Sequence, residues 1–536
     1  MEAASLIIGN GNWGTKPSEL LGYYVENGNQ YRPLIGDVSR SSTKMVTNKD
    51  GLLEKVNPNI ASIDYSDDVK GSLLLEPQST NLITQSESFG NSYWTKSGAS
   101  IEGDPSTAGV EQVTNGDFAT DTDWNKGTGV TINNGKANWN SAPNNNGITQ
   151  SGLFTIGKFY KVEFTLSNYV SGLLRIRFPV ITEDISSNGT YIYYVEATGV
   201  DLYIQGNQVT NLSIDNVSVK EVQGFASPSL DSPMGAFKLV EGINTGGHLL
   251  QKVSSTSNGV IHTASVFVKY AGREWLRFTD AQSSNRVHFN TLTGLFGVVS
   301  GSVISYDSEA LADGWYRLNI ITTTVAAAYA LRISLAEADN DVSYTGDGTS
   351  GIYIYGAQLE ALPYATSYIP TSGSTVTRVQ DVATDFGDVN TFNSEEGVLF
   401  VEMAALSDDL TQRFVAVSNG TSNNRLILGY DSFSNRVISF ARVNGSLSFD
   451  IKVVITDIQN YNKLALRWKE NDFSLWCNGL KIGEDLSGSS FPIGILDSFK
   501  FSDADGTTEI FKGKTKQVQV YKEALTDAQL ITLTTI

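Results

Sequence analysis

Cysteine occurs once in the 536 residues, at Cys477. One thiol can form neither an internal disulfide framework nor a thiolate metal cluster, so both classes of stabilised fold are excluded. Charge is also scarce: Asp, Glu, Lys and Arg make up 18 %, and the acidic excess gives a formal net charge of −19. No Lys/Arg cluster interrupts that field, so a polyphosphate would be repelled and nucleic acid is not an expected partner. Long apolar runs are missing. Near the start, Glu2 is followed only by Leu6, Ile7 and Ile8 before Gly9, and nothing approaches the ~20 apolar residues that cross a bilayer. The expectation is a chain made in a reducing cytoplasm without a signal segment or membrane insertion. The three histidines, His248, His262 and His288, have neither His-x-His nor HExxH spacing; His262 and His288 read as ordinary strand residues.

What is present is the vocabulary of strands and turns. Apolar residues reach 40 %, enough for packed cores, while Gly alone contributes 50 residues and Ser, Thr and Asn are plentiful, a balance that favours short strands over long helices. The fold class is all-β. At roughly 100–200 residues per core the length implies about three or four domains, expected as antiparallel β-sandwiches of jelly-roll type in series, with one inserted in another.

The division follows from turn and linker signals. The apolar run Leu73, Leu74 and Leu75 stops at Pro77, which cannot donate to a sheet ladder, and Gln78-Ser79-Thr80-Asn81 turns the chain before it becomes apolar again. Residues 73–94 therefore read as a junction between modules. Before it, residues 1–72 carry the turn formers Gly9-Asn10-Gly11-Asn12, Asn27-Gly28-Asn29 and Lys49-Asp50-Gly51. Asp50-Gly51 predicts a hairpin between residues 44–48 and 52–56. With Tyr23, Tyr24, Tyr31 and Tyr65, this part reads as a docking segment that orders against another chain or the next domain, or as an extension of the first sandwich.

A first sandwich opens at residues 73–103 and breaks off at the linker Gly103-Asp104-Pro105-Ser106-Thr107-Ala108-Gly109. It resumes at residues 224–372. Between them, residues 111–222 form an inserted domain, placed in a surface loop where insertions cost least. There Tyr160, Val162, Phe164 and Leu166 alternate with Lys161, Glu163 and Thr165, and Leu174, Ile176 and Phe178 alternate with Arg175 and Arg177: a half-buried antiparallel sheet. Arg175 and Arg177 are taken as candidate ligand contacts. After a Ser/Thr-rich linker, the last domain covers residues 395–536. It has the turn Asn478-Gly479 after a strand and a short terminal helix capped by Thr526.

Three stretches resemble known families. Residues 73–94, with Leu73-Leu74-Leu75-Glu76-Pro77-Gln78-Ser79-Thr80-Asn81-Leu82-Ile83, Phe89 and Trp94, resemble a segment common in structural proteins of tailed bacteriophages. The likeness continues through Arg40-Ser41-Ser42-Thr43, Asp50-Gly51-Leu52-Leu53-Glu54, Tyr355-Gly356-Ala357-Gln358-Leu359-Glu360 and Tyr368-Ile369-Pro370-Thr371. Asn115-Gly116-Asp117-Phe118, Trp124 and Ile214-Asp215-Asn216-Val217 make the insert resemble jelly-roll carbohydrate-binding modules of the family 4/9 type. The turn Asn478-Gly479 and the ending Val518-Gln519-Val520-Tyr521 with Ala524-Leu525 and Gln529-Leu530 make the last domain resemble a concanavalin A-like, laminin-G-like jelly roll.

These likenesses imply a virion fibre, spike or decoration protein on the particle surface, assembled in the host cytoplasm. Its implied partners are other virion proteins and glycans, and since single lectin sites are weak, adhesion calls for a homo-oligomer, expected as a trimer. Trp476, flanked by Ser474 and Asn478 on the polar side of the strand carrying Phe473, Leu475 and Cys477, reads either as a stacking platform for a sugar or as a domain or subunit contact. Asp503 and Asp505 are the candidate Ca²⁺ ligands, with solvated turns as the alternative because a full site needs about six oxygens; no other cofactor is expected. Glycosidases need carboxylates paired roughly 5–9.5 Å apart, and the Glu-x-Asp-x-x-Glu strand pattern of concanavalin A-like glycosidases is absent. The expectation is a non-enzymatic appendage. The rivals are a polysaccharide-degrading tailspike and a purely structural decoration.

Overall fold

The computed structural model describes residues 3–26, 30–104, 108–177 and 184–536. The turn Asn27-Gly28-Asn29, the linker residues Pro105-Ser106-Thr107, Phe178 and the side chains of Tyr24 and Tyr31 lie outside what is described. The chain is all-β. Its antiparallel sheets pack face to face, and the one α-helix among the described residues is Asp527–Thr534.

The inserted sandwich pairs a six-stranded sheet, whose spine is Phe159–Ser171 against Thr210–Val222, with a four-stranded sheet containing Gly147–Gln150, Leu202–Gly206 and Leu174–Ile176. The expected alternation holds: Tyr160, Val162, Phe164 and Leu166 are buried, and they share a core with Trp124, Trp139, Ile148 and Ile204. Asn216 adopts φ 52°, and the register between the two spine strands shifts beside it, so the long strands bend around that core.

The middle sandwich has two six-stranded sheets. One runs Thr95–Ser97, Leu249–Ser255, Ala328–Ala336, Trp275–Asp280, Asn285–Asn290, Leu295–Ser300. The other runs Ala99–Glu102, Phe237–Glu241, Gly351–Glu360, Ile261–Ala271, Trp315–Thr323, Val303–Ala310. Glu102 pairs with Lys238, so the chain leaves and re-enters this sandwich at neighbouring strands and the insert hangs from one edge. The central strands of the second sheet are buried on both faces: their outer side chains Phe267, Trp315 and Tyr355 pack against Met45, Leu53 and Tyr368.

Residues 1–72, expected to order against another chain or the next domain or to extend the first sandwich, share a sheet and a core with the last domain. Leu6–Gly9 pairs with the closing strand Gly513–Tyr521, Leu6 opposite Val520, and Ser72–Leu75 pairs with the same strand at Leu73–Thr515. The cause is apolar burial. Leu6, Ile8, Leu20, Leu73 and Leu75 are all fully buried with Leu399, Val401, Val518 and Val520 beneath a facing five-stranded sheet. The predicted hairpin forms too, Lys44–Thr47 pairing with Leu53–Val56.

The junction stretch fastens these bodies together. Glu76 is buried between Lys44 (3.0 Å) and Arg378 (3.2 Å) and accepts from the Ser367 amide at 2.8 Å; Asp381 takes Arg40 at 2.9 Å and Lys44 at 2.8 Å. A few residues on, the buried Asn81 amide donates to the carbonyls of Ala357 and Ile369 at 3.0 and 2.8 Å and accepts from the Leu359 amide. Pro77 ends the strand; Glu76 and Asn81, on either side of it, bind parts of the chain some 300 residues away.

Candidate functional site

The residues singled out in the sequence fall in several places and do not form one site. Trp476 is only 3 % exposed. Its indole Nε1 donates to the Ser474 hydroxyl at 3.1 Å, and its ring packs with Phe400, Leu525 and Leu530. This corrects the sugar-platform expectation. The second face of the strand Phe473–Cys477 is polar by alternation, yet the terminal helix and the stretch before it cover it, leaving no ring face for a sugar. Ser474 is fully buried, and Asn478 closes a two-residue hairpin at φ 50°, holding Asn462 Oδ1 at 3.0 Å. Cys477 is buried, which pushes its thiol up to about 11.

Arg175 is engaged within the insert, its Nε and Nη2 on Asp184 at 2.8 and 2.9 Å, while Arg177 sits exposed past the end of the same strand. Asp503 is ion-paired with Arg425, and the Asp505 carboxylate accepts from the amides of Thr507 and Thr508 at 2.8 and 3.0 Å. Asp503 thus serves a long-range ion pair and Asp505 a local turn. Among the described residues no cluster of three His, Cys, Asp or Glu side chains is placed to hold a metal.

A different face carries the unusual chemistry. In the strand Trp275–Asp280, Leu276 and Phe278 are buried in the core of the middle sandwich, which puts Trp275, Arg277 and Thr279 on the opposite side. Its neighbours repeat the pattern. Val287 and Phe289 point inward and leave Arg286 and His288 outward; Leu331, Ile333 and Leu335 point inward and leave Arg332 and Ser334 outward. Pairing brings these side chains together. Arg277 stands opposite His288 on one side and Ser334 on the other, and Thr279 stands between Arg286 and Arg332. With strands about 4.8 Å apart, the three arginines surround Thr279 within roughly 10 Å.

Several buried polar atoms there lack partners. Arg332 Nε donates to Gln251 Oε1 at 2.6 Å, and His288 Nδ1 lies 2.8 Å from the Val298 carbonyl. The buried Nε atoms of Arg277 and Arg286, the hydroxyls of Thr279 and Ser334, and His288 Nε2 have none. Thr279, Ser334 and His288 are 4 %, 1 % and 0 % exposed, so water reaches them poorly and each unpaired group is costly. Burial and then the neighbouring Arg286 and Arg332 hold the Arg277 guanidinium below the usual arginine range. Burial and the arginines likewise push His288 down against the opposing pull of the Val298 carbonyl and Asp339. Asp339 is the acid at this rim, and both its oxygens accept from the Val298 amide. None of the hydrophobic clusters among the described residues includes a side chain of this face. The half-buried Trp275 and the guanidinium donors give it the makings of a sugar-binding surface: an apolar ring beside hydrogen-bond groups on neighbouring strands.

Two other places were weighed against it. On the insert's larger sheet Tyr194, 40 % exposed, stands opposite Lys161, itself paired with Glu163 at 2.7 Å. Asp64 and Glu309 share a cavity of about 90 Å³ with Arg317 and Lys514 at the junction of the bodies, room for a few waters and not a sugar ring.

Sequence reasoning missed the arginine face. The alternations in Trp275-Leu276-Arg277-Phe278-Thr279 and Asn285-Arg286-Val287-His288-Phe289 are visible in the chain, but the partner strand bearing Arg332 lies some 50 residues away.

The fold defined by these sheets is that of serial antiparallel β-sandwiches. No protein-family model and no curated protein matches the chain. Its structural neighbours are carbohydrate-binding modules of jelly-roll type. The CBM40 of the Ruminococcus gnavus IT-sialidase bound to α2,3-sialyllactose matches at 19 % identity, covering 28 % of this chain and 93 % of that one with a TM-score of 0.25. The N-terminal CBM22-1–CBM22-2 tandem of Paenibacillus barcinonensis Xyn10C matches at 11 % identity, covering 48 % and 98 %, with a TM-score of 0.17. Likenesses of that extent carry no argument about what this chain binds.

Proposed function

We propose that the protein is a non-enzymatic adhesin carried on a tailed-phage particle, and that it holds surface glycans through the outer face of the middle sandwich. The observation that carries the glycan part is that face: Trp275 beside three half-buried arginines, Arg277, Arg286 and Arg332, on neighbouring strands. The phage part rests on the resemblance of residues 73–94 and their flanks to virion proteins; those residues here lock the sandwiches together, as a standing appendage requires. Single glycan sites bind weakly, about −4 kcal/mol for a millimolar site, so several copies acting together, as in a trimer, supply the hold.

The test is a glycan array probed with the full-length chain and with Trp275→Ala. Retention of a defined glycan set by the parent and its loss in the variant, with an unchanged far-ultraviolet spectrum, is expected. An array on which the parent holds nothing would remove the glycan reading, and absence of the chain from purified particles would remove the virion reading.

A further inference from the structure

We propose that the outer face of the middle sandwich selects an acidic sugar, one bearing a carboxylate or a sulfate, over a neutral one. The proposal rests on the glycan-binding reading above and adds the charge of the ligand. The chain is strongly acidic, with 57 Asp and Glu against 38 Lys and Arg, and arginine after arginine elsewhere has found a carboxylate: Arg40, Arg273, Arg378, Arg425, Arg436 and Arg467 all sit in ion pairs. Arg277, Arg286 and Arg332 have none, although they are half-buried and close enough to repel one another. Three like charges gathered on one sheet face, with acids in excess everywhere else, are destabilising until an anion arrives.

The arrangement suits one anionic group. Arg286 and Arg332 flank Thr279 from opposite strands and Arg277 lies two residues along, so the three arginines rise from neighbouring positions on one sheet face. Planar donors forking onto a carboxylate or sulfate make the strongest class of side-chain hydrogen bond. Trp275, two residues before Arg277 on the same face and only half-buried, stands beside the arginines as an apolar partner for the sugar carrying the charge. A long polyphosphate fits less well, because outside this patch the surface field of the molecule is negative.

The experiment uses the full-length chain in calorimetric titrations with two matched pairs of probes: tetragalacturonate against its methyl ester, and dextran sulfate against dextran. At least one acidic member is expected to bind about tenfold or more tightly than its neutral counterpart, and to weaken with added salt. Arg277→Gln, Arg286→Gln and Arg332→Gln are each expected to cost roughly tenfold in that binding, and Arg175→Gln in the insert nothing. Because Arg277→Gln relieves repulsion, it should melt no lower than the parent; should any variant misfold, the comparison of matched probes on the unaltered protein still decides. Equal binding of acid and neutral members overturns the inference while leaving glycan adhesion intact. So does a DNA duplex that binds as tightly as the acidic sugar. No binding of any of the four probes by a protein that retains neutral glycans on the array overturns it as well, whereas a blank array sinks both readings.

Discussion

At the scale of single residues the decisive chemistry is buried charge with partners and buried charge without. Asp381 is the paired case, receiving Arg40 at 2.9 Å, Lys44 at 2.8 Å and the Glu76 amide at 2.9 Å in an interior where all four side chains are almost wholly buried. Removing it leaves Arg40, Lys44 and Arg378 facing Glu76 alone, so Asp381→Ala should lower unfolding stability by about 3–5 kcal/mol. Urea melts measure this, and a loss below about 1 kcal/mol would show that the cluster contributes little. Glu76 gives the matching pH dependence. Burial alone would raise its carboxyl, but Arg378, Lys44 and the Ser367 amide hold it at about 2 against an ordinary 4.5. A depressed carboxyl stabilises above its unfolded value and loses that contribution as pH falls through the folded one. Urea midpoints of the parent should therefore drop between about pH 5 and pH 2 more steeply than those of Glu76→Gln, and parallel curves would contradict the assignment.

At the scale of elements, alternation made the strands legible and left unstated what covers them. The sequence pattern separates Phe473, Leu475 and Cys477 from Ser474, Trp476 and Asn478 correctly, since the first three lie in the large core and Trp476 does not. It cannot tell that Leu525 and Leu530, some 50 residues on, lie over the second face. Trp476→Ala should accordingly cost about 3–5 kcal/mol of stability as a core truncation, with glycan binding by the folded fraction unchanged; lost binding at unchanged stability would restore the platform reading. The arginine face was hidden for the opposite reason. Each arginine is an unremarked polar position in its own strand, and only the pairing of Trp275–Asp280 with both Asn285–Asn290 and Ala328–Ala336 brings them together.

At the scale of the whole molecule, the insert and the amino-terminal strands behave oppositely. The insert has its own core, and its ends meet where Glu102 pairs with Lys238. Among the described residues, the clustered apolar side chains of the first 75 lie in cores shared with other parts of the chain, Met45 and Leu53 in the middle sandwich's outer layer and most of them in the last domain's core. Leu6, Ile8, Leu20, Leu73 and Leu75 are each fully buried there, and at about 1.5–3 kcal/mol per side chain they contribute roughly 10 kcal/mol, comparable to the whole stability of a typical domain, about 5–15 kcal/mol. Their loss would also strip the strand Gly513–Tyr521 of Leu6–Gly9 and Ser72–Leu75, exposing a ladder edge that invites pairing with other chains. A fragment of residues 395–536 should therefore aggregate or fail to melt cooperatively, while a fragment of residues 111–222 should fold as a monomer. Circular dichroism melts and sedimentation of the two fragments check the contrast. A stable, monomeric 395–536 fragment would mean that the amino-terminal strands only decorate a self-sufficient sandwich, and the docking role first read for them would regain its footing.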